Sequence, residues 1–377
     1  MSVVAVNLLW LAPGRVGGSE ESTLASLRAL HGAADPDIDL QLLAPAALFQ
    51  VHPDLEQRFP VQVLPARWGG RPARILAEST WLASRTRGAD LVHHAGGTVP
   101  PRRSRPCVLT LHDLQPLERR ATHGRIKRAY LGLAVPRSVA AARVVVVPSR
   151  FVRDSVVERF GTDPAKVHVV PHGISVPAPP PERDVEDVRR RHRLDGPVVL
   201  YPAITYPHKN HAVLVEAFAA VLRQHPATVL VLTGGASGEE EALAQQVDRL
   251  GVASSVRRLG RVPAEELGAL YQAATVVAVP SRYEGFGLPA AEAMAHGRPL
   301  VAARATALPE VVGDAGVLVD PDDVEGWASA LAHLLDDPGE RSRLAAAGQE
   351  QAAGFSWAAN AAGLLAAYRR ALSGPEP

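Results

Sequence analysis

Residues 275–302 read TVVAVPSRYEGFGLPAAEAMAHGRPLVA. Thr275–Val279 is a short apolar, β-branched run, the pattern of a strand covered on both faces. Gly285 and Gly287 loosen the loop after it, and Pro289 is expected at its favoured first position in a helix running to His296. Pro299–Ala302 opens the next apolar run. Strand, glycine loop, helix and strand in succession is the unit of a parallel α/β sheet.

The same alternation precedes it. Val198–Tyr201, Thr228–Thr233 and Val256–Leu259 read as strands, with helices at Asn210–Gln224, Gly238–Leu250 and Pro263–Ala273. An earlier series has strands at Val3–Trp10, Asp90–His94, Cys107–Leu111, Arg143–Val147 and Val167–Val170. Its helices are Ser19–Leu30, Arg71–Ser84 and Phe151–Phe160. The two series are separated by Ser175–Arg183, whose Pro177-Ala178-Pro179-Pro180-Pro181 run continues neither element and makes a semi-rigid linker. The chain therefore divides into two Rossmann-like domains, 1–177 and 178–355. A last helical segment, 356–377, is expected to pack back on the first domain.

A length of 377 residues with 47% hydrophobic content suffices for two cores. The formal net charge of +1 argues against a nucleic-acid partner. The average hides an asymmetry: residues 1–177 carry 22 Lys/Arg against 14 Asp/Glu, and the remainder 18 against 25. The excess gathers in Arg102, Arg103, Arg105, Arg119, Arg120, Arg125, Lys127 and Arg128. Read plainly, such a run is a solvated face. With Ile126, Tyr130, Leu131 and Leu133 close by, it also fits a basic amphipathic helix lying on an anionic membrane surface. The one cysteine, Cys107, opens an apolar run and is expected to be a buried thiol. The N-terminus lacks the basic region of a signal peptide, and no apolar run matches a membrane span, so a cytoplasmic protein is expected.

In open α/β sheets, ligands bind beyond the carboxyl ends of the strands, and four loops there carry chemistry. Gly17-Gly18 before a helix lets backbone amides approach a phosphate; structurally it is a tight turn with Ser19 as cap. His112-Asp113 follows a buried strand, where an imidazole meets a sugar hydroxyl or is simply a satisfied core group. Lys209, one of very few lysines, sits at a strand-to-helix junction, where it suits a leaving pyrophosphate better than a chance surface position. Glu284 and Glu292 flank the glycine loop among apolar neighbours, placed to grip vicinal hydroxyls of a sugar and a ribose.

Glu284 and Glu292, with seven residues between them, resemble the E-x7-E motif of retaining GT-B glycosyltransferases. The Glu284–Ala295 wording is similar to glycosyltransferase family 4, as are Pro207-His208-Lys209-Asn210, Pro171-His172-Gly173, His112-Asp113, Gly17-Gly18-Ser19-Glu20 and Phe355-Ser356-Trp357. The flavour is that of the bacterial mannosyltransferase-like branch that builds cell-surface glycans. The resemblance implies a GT-B architecture, two Rossmann-like domains with parallel sheets facing across a cleft. It implies that Lys209 binds the donor pyrophosphate and Glu292 the ribose. Glu284 with the amides of Phe286, Gly287 and Leu288 would hold the transferred sugar, and His112 would contact it. Gly17 and Gly18 would approach the phosphates or the acceptor, and Arg261 and Val262 would read the base.

Two departures matter. The family's arginine six positions before the lysine is Ala203 here, so Arg282 or Arg15 would supply the missing charge. Asp35-Pro36-Asp37 is formally a D-x-D run, but it lies at the wrong end of the sheet and reads as turn chemistry. A metal-independent, retaining transfer of a hexose is expected, mannose from GDP-mannose first, onto a glycan or lipid-linked acceptor and with no cofactor. Two other readings stay open: a sugar-nucleotide epimerase or hydrolase on the same fold, and a non-catalytic nucleotide-sugar binding protein.

Overall fold

The computed structural model describes residues 1–13, 18–65, 71–103, 105–118, 125–175 and 178–374. Internal contacts divide the chain into two units, Met1–Gly173 with Trp357–Pro377, and Ile174–Ser356. The first boundary therefore lies four residues before the one expected from the proline run.

The first unit is built on a seven-stranded sheet, β1 (Ser2–Asn7), β2 (Ile38–Pro45), β3 (Val61–Leu64), β4 (Leu91–His94), β5 (Cys107–Thr110), β6 (Val144–Val147) and β7 (Val167–Val169). Its order is β3-β2-β1-β4-β5-β6-β7, and every pairing is parallel. The second unit carries β8 (Val198–Pro202), β9 (Val229–Thr233), β10 (Val256–Gly260), β11 (Val276–Val279), β12 (Leu300–Ala303) and β13 (Val317–Val319). They are ordered β10-β9-β8-β11-β12-β13, again all parallel. Central strands such as β6 and β11 are buried at every position, because helices cover both faces. Both orders reverse direction once, between β1 and β4 and between β8 and β11. Such switch points open a crevice at the carboxyl ends of the strands.

The helix Trp357–Ser373 belongs to the first unit. It buries Ala361, Leu364, Leu365 and Tyr368, and Asn360 donates to the Pro171 carbonyl at 2.6 Å. Arg143 binds its last carbonyls, Ala371 at 2.9 Å and Gly374 at 3.2 Å, a favourable use of a cation at a helix C-terminus. Gly173 must be glycine, since a Cβ there would lie 2.4 Å from the Trp357 ring.

Several elements differ from the sequence reading. Glu182–Arg191 is a helix starting directly after Pro181, with acids in its first turn and arginines in its last. Arg71–Ala77 passes into a π-helical turn at Glu78–Leu82 before the helix ends at Arg85. The first helix begins at Gly18, so Ser19 lies inside it and its carbonyl accepts from Thr23 Oγ1 at 2.7 Å. Asp35 lies before β2, away from the strands' carboxyl ends, accepting from the Asp37 amide and pairing with Arg369, as a turn residue does. Cys107 is buried and free, and burial pushes its thiol up to about 11. Among the described residues, no helix is long and apolar enough to cross a membrane.

Candidate functional site

In the second unit the switch point is lined by the loops after β8 and β11. The first runs through a short 3-10 turn, Pro207–Lys209, into the helix His211–Val221. The second leads to the helix Leu288–Ala295. Lys209 Nζ donates to Glu284 Oε1 at 2.7 Å, with side chains only 17% and 10% exposed. Two groups 75 residues apart in sequence thus form one largely desolvated ion pair.

The backbone around this pair is over-determined. Asn210 adopts φ 60°, and its amide donates to the Pro280 carbonyl at 3.1 Å and the Pro321 carbonyl at 2.6 Å. It ties the lysine loop to the glutamate loop. The buried Tyr201 hydroxyl donates to the Lys209 carbonyl at 2.8 Å. Thr306, β-branched yet at φ 52°, accepts the Glu284 amide on its hydroxyl at 2.9 Å. A left-handed β-branched residue is strained, and such strain gathers at functional positions. Gly287 caps the following helix at φ 104°, and a Cβ there would lie 2.7 Å from Leu308 Cδ2. Pro289 sits at the second helical position, since Leu288 is the first. Phe286 is buried against Phe355, with ring centroids 5.2 Å apart.

Glu292 lies one turn into that helix and accepts from the Tyr271 hydroxyl at 2.9 Å. Arg261 is exposed and Val262 half-buried after β10, whose last carbonyl, Gly260, accepts from Thr233 Oγ1 at 2.8 Å. Arg282 is engaged by Asp322, Nε to Oδ1 at 2.7 Å, so its charge is already partnered. Arg15 and Gly17 lie outside the described residues; Gly18 opens its helix and is exposed.

The first unit's switch point has a different chemistry. The Asn7 amide, at the end of β1, donates to His94 Nδ1, at the end of β4, at 3.2 Å. It also bonds Glu78, a buried carboxyl pushed above its usual range by desolvation and drawn back by Arg74. The π-turn turns Glu78 toward this point; such turns recur at functional sites. His112, beyond β5, approaches the Ala95 carbonyl through Nε2 at 3.2 Å, so that nitrogen carries the proton. Its Nδ1 is buried without a partner, leaving an acceptor lone pair. The ring stacks on His172 with centroids 5.8 Å apart. Burial lowers His93, His94 and His172 to about 3 and His112 to about 4, so all four are neutral at pH 7. His93 is held by the Tyr368 hydroxyl at 2.8 Å and by Thr110 at 2.7 Å. A cavity of about 40 Å³ lies between His93, His112 and His172 and the last helix, room for a few waters. Asp113 caps its own turn by accepting the Gln115 amide at 3.0 Å.

The structure thus brings Lys209 together with Glu284, and sets Glu292 on the helix that follows. Sequence reading missed Thr306, Tyr271, Glu78 and Asn7. Asn210 offered a signal, because asparagine is among the few residues other than glycine that adopt positive φ readily. Among the described residues, no group of three or more His, Cys, Asp or Glu side chains is gathered as a metal site.

Comparison with known proteins assigns both halves. Residues 16–176 match the model described as Glycosyltransferase Family 4, and 182–351 that of Glycosyl transferases group 1. The chain is 38% identical to a D-inositol 3-phosphate glycosyltransferase of Segniliparus rotundus over 63% of its own length, and that match spans only 56% of the relative. It is 32% identical to the O-antigen chain mannosyltransferase B of Escherichia coli over 71% of each. In structure it is similar to Anabaena HepE, solved with UDP and glucose: TM-score 0.79, 21% identity, 98% of this chain and 100% of that one.

Proposed function

This chain belongs to the glycosyltransferases of group 1 and family 4, and from that premise we propose that it moves a hexose from a nucleoside diphosphate sugar onto an acceptor hydroxyl with retention at the anomeric carbon. The observation that carries the proposal is the Lys209–Glu284 pair at the β8/β11 switch point. A lysine held beside a helix start supplies the charge that a leaving pyrophosphate needs, with no bridging cation. On donor binding, Lys209 exchanges its carboxylate partner for phosphate oxygens. Glu284 is then free to accept from sugar hydroxyls, aided by the amides of Phe286, Gly287 and Leu288. Glu292 takes the ribose, Arg261 and Val262 flank the base, and His112 offers its Nδ1 lone pair to a substrate hydroxyl.

In the transfer, the bond from C1 to the phosphate oxygen breaks while the acceptor oxygen bonds C1 on the same face. The acceptor proton passes to the departing phosphate oxygen. The protein contributes position, charge and exclusion of water. No cofactor is required in this scheme.

Mannose is the first sugar to test, given the likeness to an O-antigen mannosyltransferase, with a glycan or lipid-linked acceptor of cell-surface biosynthesis and action in the cytoplasm. The helix Arg125–Ala141 exposes Leu133 at 78% and Tyr130 at 38% beside a basic run, which suits an anionic leaflet.

A thermal-shift screen against GDP-, UDP- and dTDP-sugars identifies the donor, since only a bound donor raises Tm. Transfer to acceptor candidates in excess chelator should then persist and give the donor's own anomer. Activity abolished by chelator and restored by Mg²⁺, or an inverted product, would overturn this scheme. Release of nucleoside diphosphate with no glycoside would favour a hydrolase or epimerase, and binding without turnover a non-catalytic binder. Sedimentation with anionic but not neutral vesicles, weakened by salt, tests the membrane surface.

A further inference from the structure

Glu292 is one of two glutamates flanking the glycine loop, and each arrives at the site already paired. Glu284 is paired with a cation, Glu292 with a phenol. Tyr271, on the helix Ala264–Ala273, is 1% exposed, and its hydroxyl donates to Glu292 Oε2 at 2.9 Å. Its ring lies flat on His296, centroids 4.5 Å apart at 13°. The tyrosine therefore cannot swing away without breaking its stack.

We propose that Tyr271 is a positioning residue for nucleotide recognition: it fixes the orientation in which the Glu292 carboxylate meets the ribose hydroxyls. This rests on the reading of Glu292 as the ribose ligand. A glutamate has three rotatable side-chain bonds, and freezing them at the moment of binding costs affinity. A donor held by its own stack freezes them beforehand. Phenol suits the task because burial, with the carboxylate beside it, raises its pKa well above the ordinary value, so it remains a donor throughout the working range. A lysine in its place would neutralise the carboxylate and compete for both oxygens.

The mechanism separates from mere structural support through the ribose itself. Binding of GDP and UDP, and of their 2′,3′-dideoxy counterparts, is measured by calorimetry for the wild type and Tyr271→Phe. The variant keeps the ring, its burial and its stack on His296. Wild type should favour the ribose form of its nucleotide by about tenfold or more, the worth of hydroxyls bonded to a charged group. Tyr271→Phe should lose most of that preference while binding the dideoxy form as the wild type does, with Tm moved by a few degrees at most. His296→Phe, which keeps a stacking ring, should leave the preference unchanged. An unaltered preference in Tyr271→Phe overturns the proposal. Equal weakening of ribose and dideoxy forms means that the tyrosine only supports the fold, which also overturns it. A wild type that does not distinguish the two forms removes the ribose reading of Glu292 itself.

Discussion

Each unit holds a polar pair at the point where its strand order reverses, and the two pairs are opposite in kind. In the second unit it is an ion pair, Lys209 with Glu284 at 2.7 Å. In the first it is neutral, the Asn7 amide with His94 at 3.2 Å, surrounded by imidazoles that burial keeps uncharged. The same topology thus offers one crevice built on an ion pair and one in which a neutral amide and neutral imidazoles predominate, with the Glu78 carboxyl hydrogen-bonded behind them. A charged leaving group calls for the former. A hydroxyl, which both donates and accepts, is met by the latter at no Coulombic cost.

The contrast is broken most severely by acid. In an unfolded chain the imidazoles titrate near 6.5, whereas in the fold His93, His94 and His172 titrate at about 3 and His112 at about 4. Above pH 6.5 both states are neutral at these positions and stability is unaffected. As pH falls below 6.5 the unfolded chain takes up protons that the native one refuses, so the first unit loses stability. At pH 5 each group costs about 2 kcal/mol. The second unit has two such histidines, His211 and His296 at about 4, and should suffer less. Hydrogen exchange between pH 7.5 and 5 should show the first unit opening first, and His94→Gln should flatten its slope. Equal acid sensitivity of both units would refute the contrast.

Removing the charge tests the other side. Lys209→Ala should cut transfer by about 100–1,000-fold, the usual loss for one preorganised charge-stabilising group. Thermal melting should still be cooperative, since Lys209 is not one of the residues that make up the second unit's hydrophobic core. Near-normal turnover in a folded variant would remove Lys209 from the chemistry.

A smaller effect sharpens how the pair is held. Asn210→Gly keeps the left-handed backbone but drops both amide bonds to Pro280 and Pro321, and should cost about 1–2 kcal/mol of stability. Asn210→Ala should cost more, because alanine also pays about 1–2 kcal/mol for its conformation. Urea titration separates the two. If glycine proves the worse, the left-handed backbone at this position is not what sets the loop.

How much of this was legible follows from burial. Strands β5, β6, β8, β9, β11 and β12 announced themselves because strands covered on both faces are almost wholly apolar. The edge strand β3 did not, since Val63 is exposed and Gln62 only half-buried. The helix Glu182–Arg191 escaped notice because Val188 is its one fully buried side chain. The π-turn left no trace, as widening a single turn barely disturbs the apolar period. For the site, loops at strand ends located Lys209, Glu284 and His112, but not what touches them. Asn7 and His94 meet across 87 residues, and Thr306 reveals itself only through its dihedral angle. Pairings made by tertiary structure carry no local signature.

The first unit is made from both ends of the chain, whereas Ile174–Ser356 is continuous. On the ribosome the order of events is therefore inverted. The nascent sheet β1 to β7 emerges first but must wait for Trp357–Ser373 before Tyr368 can reach His93 and Asn360 can reach Pro171. The middle unit has every strand and helix it needs as soon as Ser356 has cleared the exit tunnel. A chain truncated after residue 356 would therefore carry one finished lobe and one with an uncovered apolar face.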